Sequence, residues 1–335
     1  MQSVSFYVGL DYHQESVQVC VMDGDGRILT NDSAGNDWRD IVRLVGATGS
    51  EVRVAIEACT GSANLAEELV ARAGWSVDLA HAGYVKRMKG NPDKTDYSDA
   101  RLLADLERVG YIPRVWLAPE KVRELRVLVR HRQELVNERR NTRLRVSALL
   151  RQHRLGAPCR PWTMRWFSWL SQVEVPEQSR WVIQRHVANF ARLKMEIATV
   201  EERLRQVTRG HALVERLMSM KAIGPVTAWY MAAEIAWFDR FRNGKQLSRF
   251  CGLAPRNASS GTRQADGGLI KAGQPQLRAT LIEAGHRLIR FDPHWRAFAE
   301  RMRDGGKPTC LIVAAVANRW MRRLYHELKT YPLAA

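Results

Sequence analysis

The sequence predicts a mixed α/β domain, then a long helical arm, then a mainly α-helical C-terminal domain. Three observations carry this prediction. Short apolar runs of β-type residues crowd the first 80 positions, and an Arg-rich helical periodicity dominates the middle. The last third alternates apolar helical stretches with one segment rich in Gly, Pro, Ser and Asn. With 335 residues there is enough chain for more than one core. The changes of texture place the domains at 1–115, 116–210 and 211–335.

Val4–Leu10 reads as a strand running into Asp11, and Ser16–Met22 alternates apolar and polar residues in the manner of a half-buried strand. Asp23-Gly24-Asp25-Gly26 supplies a tight turn into Arg27-Ile28-Leu29. A third apolar strand, Val52–Ile56, ends at Glu57. A helix follows from about Ser62 to Ala73, stopped by Gly74, and Trp75–Ala80 is a further short strand. Strands first in a meander, then alternating with helices, indicate a mixed sheet. From about Ala118, residues 119–155 and 178–208 are long and helical, with apolar positions at Leu125, Leu128, Leu135, Leu144 and Leu149. The Trp- and Pro-rich stretch Pro158–Pro176 makes the turn between them, which suggests an antiparallel coiled-coil arm. Leu217–Ala228 reads as an apolar helix, a Gly224-Pro225 hairpin and a second helix. Such a helix-hairpin-helix-like segment can hold a DNA phosphate on its amides, the alternative being a plain αα-hairpin. Residues 252–275 read as a long loop, and helices resume at about Gln276–Arg290 and Leu311–Leu328.

The chain carries 52 basic and 35 acidic residues, a net charge of +17. That charge is divided unevenly: residues 1–110 carry a net −6 and the rest a net +23. A basic surface of this size faces a polyanion, most often nucleic acid; the plainer alternative is a generally basic cytoplasmic protein. Mean hydropathy is −0.34 and no run reaches 18 apolar residues, so no membrane span is expected. The N-terminus lacks a basic n-region, and the five scattered cysteines form no CxxC pair. They read as reduced core residues of a cytoplasmic protein.

Four acids stand out by position. Asp11 and Glu57 end apolar strands, and Asp96 and Asp99 begin a helix, three residues apart on one face. With no visible basic partners, four converging carboxylates would repel one another by several kcal/mol at close range. Bound Mg²⁺ or Mn²⁺ relieves that repulsion, and two such ions can clamp a phosphodiester displacement. Taken singly, Asp96 could instead cap its helix and Glu57 could be a lone solvated acid.

An Asp on the first strand, a hairpin, a Glu on a later strand and an Asp-xx-Asp helix together resemble the ribonuclease H-like, RuvC-type nuclease fold. Actin-like ATPases and sugar kinases share the opening, but they place a Gly soon after the Asp, whereas Asp11 is followed by Tyr12-His13-Gln14. The stretch Phe250-Cys251-Gly252-Leu253-Ala254-Pro255-Arg256-Asn257-Ala258-Ser259-Ser260-Gly261 continues through Ile270-Lys271-Ala272-Gly273-Gln274 to Leu277-Arg278. This resembles the C-terminal region of the IS110-type transposases and Piv-type DNA invertases, and Asp11, Glu57, Asp96 and Asp99 are similar to the DEDD tetrad of the same family. The resemblance covers nearly the whole chain. It departs from the family at Gln274, where Asn is usual, and at the following Pro275.

The resemblance implies a DNA recombinase in which the serine before Gly261, Ser260, is the nucleophile and forms a 5′-phosphoserine link, with Ser259 as its neighbour and rival. It also implies a noncoding bridge RNA that pairs with target and donor DNA, and dimers that assemble into tetramers. A serine hydroxyl needs a base or metal to activate it, and no His adjoins Ser260, so the carboxylate site is the natural activator. Arg256, Arg263 and Lys271 are available to neutralise phosphate, the alternative being solvated loop charges. Arg139, Arg140, Arg143 and Arg145 on the arm, with Gly224 in the hairpin, are candidate nucleic-acid contacts, the alternative for the arm being a solvated helical spacer. The competing readings are a RuvC-like metal-dependent nuclease or junction resolvase, and a nucleic-acid-binding protein without catalysis.

Overall fold

Six strands of the N-terminal half form one sheet in the order β3-β2-β1-β4-β5-β6. The computed structural model describes residues 6–49, 51–89, 95–257, 266–270 and 273–330. The strands are β1 (Phe6–Tyr12), β2 (Ser16–Met22), β3 (Ile28–Gly35), β4 (Val52–Glu57), β5 (Ser76–Ala80) and the short β6 (Arg114–Val115). Between them lie α1 (Trp38–Val45), α2 (Ser62–Glu68), which runs on into a π-helical turn at Leu69–Ala73, α3 (Ala82–Met88) and α4 (Asp96–Arg108). The β1–β2–β3 meander is antiparallel, whereas β4 joins β1 and β5 joins β4 in parallel. The mixed sheet is therefore as the sequence implies. The short helix α1, whose Ile41 and Val45 are buried, and the two-residue β6 are additional to the elements expected.

Strand alternation sends the two faces of the sheet to different helices. Val8, Leu10, Val54 and Ile56 pack with Ile41 of α1, Leu65 of α2 and Leu69 of its π-helical turn. Ala55 meets Leu103 and Leu106 of α4, and Cys20 meets Ala100 and Ala104 of α4. Gly9 belongs to this second face. A Cβ there would lie 2.0 Å from the Ala100 carbonyl oxygen and 2.4 Å from the Ala104 nitrogen, so the absence of a side chain is what lets α4 lie directly on β1.

Backbone contacts divide the chain into two units, Met1–Pro119 and Glu120–Ala335. The second unit begins with α5 (Glu120–Gln152), α6 (Met164–Gln172) and α7 (Glu177–Val207). Helices α5 and α7 run antiparallel. Leu135 packs on Leu193 and Ile197, Arg132 Nη2 lies 2.6 Å from Glu201, and His153 Nε2 is 2.8 Å from Ser179 Oγ. Two expectations are corrected here. Leu144 is 52% exposed and not part of the apolar seam, and the Pro158–Pro176 stretch is more than a turn, because Thr163 caps the helix α6, whose Trp166 and Leu170 are buried.

The remaining elements are α8 (Ala212–Met218), α9 (Pro225–Glu234), α10 (Gly244–Phe250), β7 (Pro255–Asn257), β8 (Asp266–Leu269), α11 (Pro275–Phe291), α12 (Pro293–Asp304) and α13 (Thr309–Leu328). The stretch 252–275 is thus not all loop, since β7 and β8 pair antiparallel within it, and α12 lies between the two expected C-terminal helices. Helix α9 is buried along most of its length and centres the main core, with Trp229, Tyr230 and Phe238 among its largest buried side chains. Glu234 at its end is also buried, and there it accepts both Arg130 Nε (2.9 Å) and Nη2 (3.1 Å) from α5. All five cysteines are free, but Cys59 and Cys310 are exposed, so they are not the core residues expected of them.

Candidate active site

The β1–β4 register aligns Leu10 with Ile56, so Asp11 and Glu57 follow side by side at the carboxyl ends of adjacent parallel strands. Both share the parity of Gly9 and Ala55, and hence face α4. The turn after Glu57 is tied by Ser62, whose Oγ accepts from Cys59 N (3.0 Å) and donates to Cys59 O (2.9 Å). Across the sheet, Thr95 caps α4 by accepting from Ser98 N at 3.2 Å. That frees Asp96 from the capping role considered for it. Asp96 and Asp99 stand in the first turn of α4, Asp96 exposed and Asp99 buried.

The acids do have basic partners, contrary to the expectation from sequence. Lys89 Nζ lies 2.6 Å from Asp99 Oδ2, and His13 Nε2 lies 3.4 Å from both Asp11 Oδ2 and Asp96 Oδ2. Asp11, His13 and Asp96 present ligand atoms within 4.8 Å of one another. Sequence reasoning missed His13 and Lys89, although His13 lies only two residues beyond Asp11 in the β1–β2 turn.

Asp11 is the electrostatic focus. Its Oδ2 is buried without a hydrogen-bond partner. Burial raises its carboxyl above the ordinary 3.8. His13 pulls the other way, and Asp99, Asp96 and Glu57 all raise it further. All four acids therefore act on one place. An oxygen-rich set with an unsatisfied buried carboxylate oxygen suits a hard divalent cation, which prefers oxygen ligands and repays their mutual repulsion.

The other predicted residues are distributed as follows. Arg140, Arg143 and Arg145 are exposed on α5, with the Arg143 guanidinium 5.8 Å from the Trp162 ring centre. Arg139 is half-buried, and desolvation beside Arg132 and Arg143 disfavours its charge. Gly224 is the N-cap of α9 with Pro225 at its first position, but the left-handed residue of that turn is Ala222 (φ 71°) rather than a glycine. Arg256 is exposed on β7. Ser259, Ser260, Arg263 and Lys271 lie outside the described residues. Beyond them Gln274 replaces the usual Asn without loss of function as a cap, its Oε1 accepting from Gln276 N and from Leu277 N (2.8 Å). Gly273 is left-handed (φ +82°), and a Cβ there would sit 2.1 Å from the Phe250 carbonyl oxygen, so glycine is required at this entry to α11.

Comparison with known proteins agrees with this arrangement. Residues 8–154 match the IS110-type DEDD family, described as a transposase, and residues 214–300 match the family described as "Transposase IS116/IS110/IS902 family". A Pseudomonas aeruginosa protein named as a family 20 transposase is 30% identical over 288 residues, covering 81% of this chain and 82% of its own. The Coxiella burnetii transposase for insertion sequence element IS1111A is 25% identical over 290 residues, 84% of this chain and 78% of that one. A Sinorhizobium fredii protein named as transposase y4qE is 30% identical over 200 residues, but the chain spans only 49% of its length. Sheet, acids and similarities together define a transposase, an enzyme class that cuts and rejoins DNA. The chain belongs to the IS116/IS110/IS902 transposase family. The DEDD assignment suggests divalent-metal use. Among the described residues no helix is long and apolar enough to cross a membrane.

Proposed function

We propose that this protein is a cytoplasmic DNA recombinase with two chemical centres, a divalent-cation site on a ribonuclease H-like, RuvC-type domain and a serine nucleophile in the C-terminal region. The observation that carries the first centre is the convergence on Asp11: one buried carboxylate oxygen without a hydrogen bond, faced by His13 and acted on by Asp96, Asp99 and Glu57. Asp11, Glu57, Asp96 and Asp99 would hold Mg²⁺ or Mn²⁺, which supplies charge neutralisation at phosphate oxygens and acidifies a bound hydroxyl. Asp11 anchors the site from the end of the paired strand β1, and Lys89 orients Asp99 through their 2.6 Å contact. His13 holds the exposed Asp96 toward Asp11.

Ser260, with Ser259 beside it, is the nucleophile on the strength of the surrounding family pattern. Its hydroxyl attacks the scissile phosphorus and gives its proton to a base, the phosphoserine bond forms as the phosphorus–oxygen bond to the 3′ oxygen breaks, and the departing 3′ oxygen takes up a proton to leave as a 3′ hydroxyl. Arg256, Arg263 and Lys271 balance the phosphate charge. The arm arginines, the Gly224 hairpin and the three-part division at 115 and 210 belong to the same reading, with the arm and the C-terminal domain as separate functional parts. So do guidance by a bridge RNA and assembly of dimers into tetramers. The exposed Arg140, Arg143 and Arg145 support it.

The test is cleavage of a DNA substrate by purified variants in Mg²⁺. Asp11→Ala should abolish cleavage with little loss of nucleic-acid affinity, and Ser260→Ala should remove the covalent protein–DNA product. Hydrolysed DNA ends without an adduct in the wild type would favour the metal-dependent nuclease reading, and full activity of Asp11→Ala would sink the carboxylate site.

A further inference from the structure

Helices α12 and α13 enclose a cleft of about 520 Å³ whose rim carries Arg301, Arg319, Arg322 and Arg323 with His294 and His326. All six are exposed. Four arginines concentrated around one concavity are costly through mutual repulsion unless an anion shares the space. Of the four arginines Arg323 is ion-paired, its Nε 2.8 Å from Glu327, and Arg301, Arg319 and Arg322 have no ion pair among the described residues.

The floor of the cleft is aromatic. Phe298 is half-buried there and Trp295 lies beneath it, their ring centres 6.3 Å apart. The Arg319 guanidinium sits 4.5 Å from the centre of the Phe298 ring and the Arg301 guanidinium 6.0 Å from it. The Arg319 guanidinium lies over the Phe298 ring, and this guanidinium–aromatic pair is a stacking step for a flat heterocycle, with the outer arginines placed for the phosphates on either side. A base pair inside a duplex cannot reach such a floor, whereas an unpaired, splayed nucleotide can. An acidic peptide would satisfy the charge but leave the aromatic step unused.

We propose that this cleft binds an unpaired nucleotide segment of single-stranded nucleic acid, with a base stacked at Phe298–Arg319 and flanking phosphates on Arg301, Arg322 and Arg323. The inference rests on the reading of the chain as a nucleic-acid enzyme but not on its chemistry. The four arginines lie beyond the segment 214–300 that matches the transposase family, whereas the floor residues Trp295 and Phe298 lie inside it.

Fluorescence anisotropy on the full chain tests it, with labelled oligo-U RNA, oligo-dT DNA and a DNA duplex as probes. Phe298→Leu keeps the charge and most of the apolar volume, while Arg319→Gln/Arg322→Gln keeps the floor. Each variant should weaken single-strand binding by roughly fivefold or more while duplex binding changes by about twofold or less. Loss on oligo-U alone, oligo-dT alone or both supports the site and identifies which strand it takes. Equal losses on single strand and duplex, no loss on any probe, or competition by poly-glutamate equal to that by oligo-U would overturn it. Thermal unfolding near the wild-type midpoint verifies that each variant is folded. Asp11→Ala should bind all three probes normally, so failure of the cleft and failure of the catalytic reading remain separate results.

Discussion

Asp11 shows how a strand can hold a charge where water would not leave it. Leu10 is paired on both sides of β1, and Asp11 and Tyr12 pair with Gln18 and Val17 of β2, so the backbone that carries the carboxylate is held at the strand end. The fold therefore resists ionisation of this group, and its carboxyl keeps its proton to higher pH than the ordinary 3.8. The consequence has a definite sign. The protein gains relative stability below that value, loses it as pH rises through the raised range, and bears the full penalty at neutral pH. Without divalent cations, Asp11→Asn should raise the thermal midpoint at pH 7 by roughly 2–4 °C, about 1 kcal/mol for a domain of moderate size. The difference should shrink as pH falls toward the ordinary carboxylate range. Added Mg²⁺ should stabilise the wild type and leave the Asn variant unchanged. A variant less stable than wild type at pH 7 without metal would show that Asp11 is a satisfied structural acid.

The helix α4 performs two tasks that meet at one glycine. Its first turn supplies Asp96 and Asp99, and its middle lies against β1 and β2 through Ala100 and Ala104. Gly9 permits that approach, and any side chain there collides with helix backbone, which cannot yield as a flexible side chain would. Gly9→Ala should cost about 2–3 kcal/mol or more, because overpacking at backbone contact forces the elements apart. Urea denaturation measures that loss. The same displacement carries the two aspartates away from Asp11, so residual cleavage should fall further than stability alone accounts for. Wild-type stability in the alanine variant would mean that α4 does not pack on β1 in this way.

At the scale of the whole molecule the charge is partitioned, with a net −6 over residues 1–110 and +23 over the rest. A polyanion bound by the basic part releases counterions, so affinity for DNA should fall by roughly 10³-fold or more between 50 and 200 mM salt if at least six phosphates are neutralised. Replacing Arg140, Arg143 and Arg145 together by Gln should flatten the slope of log affinity against log salt by about 2–3. A slope unchanged by the triple variant would remove the arm from the binding surface. Arg139 is left out of this set, since its half-buried guanidinium packs along the helix pair and its loss would confound stability with binding.

The class of fold, the order of the strands' chemistry and the positions of Asp11, Glu57, Asp96 and Asp99 were legible because they depend on local pattern: apolar alternation that ends in an acid, and an acid pair spaced by three. Long helices such as α5 and α7 were legible for the same reason, as their period persists over many turns. What only the tertiary structure decided depends on groups distant in sequence. Lys89 reaches Asp99 and His13 reaches Asp96 because β1, α3 and α4 converge, and no window of sequence contains all three. Leu144 is apolar yet exposed, because the side of α5 that faces α7 is fixed by the crossing of the two helices and not by hydrophobicity alone. The cleft between α12 and α13 was equally invisible. Its arginines come from two helices separated by a turn, and only packing brings their charges over one aromatic floor.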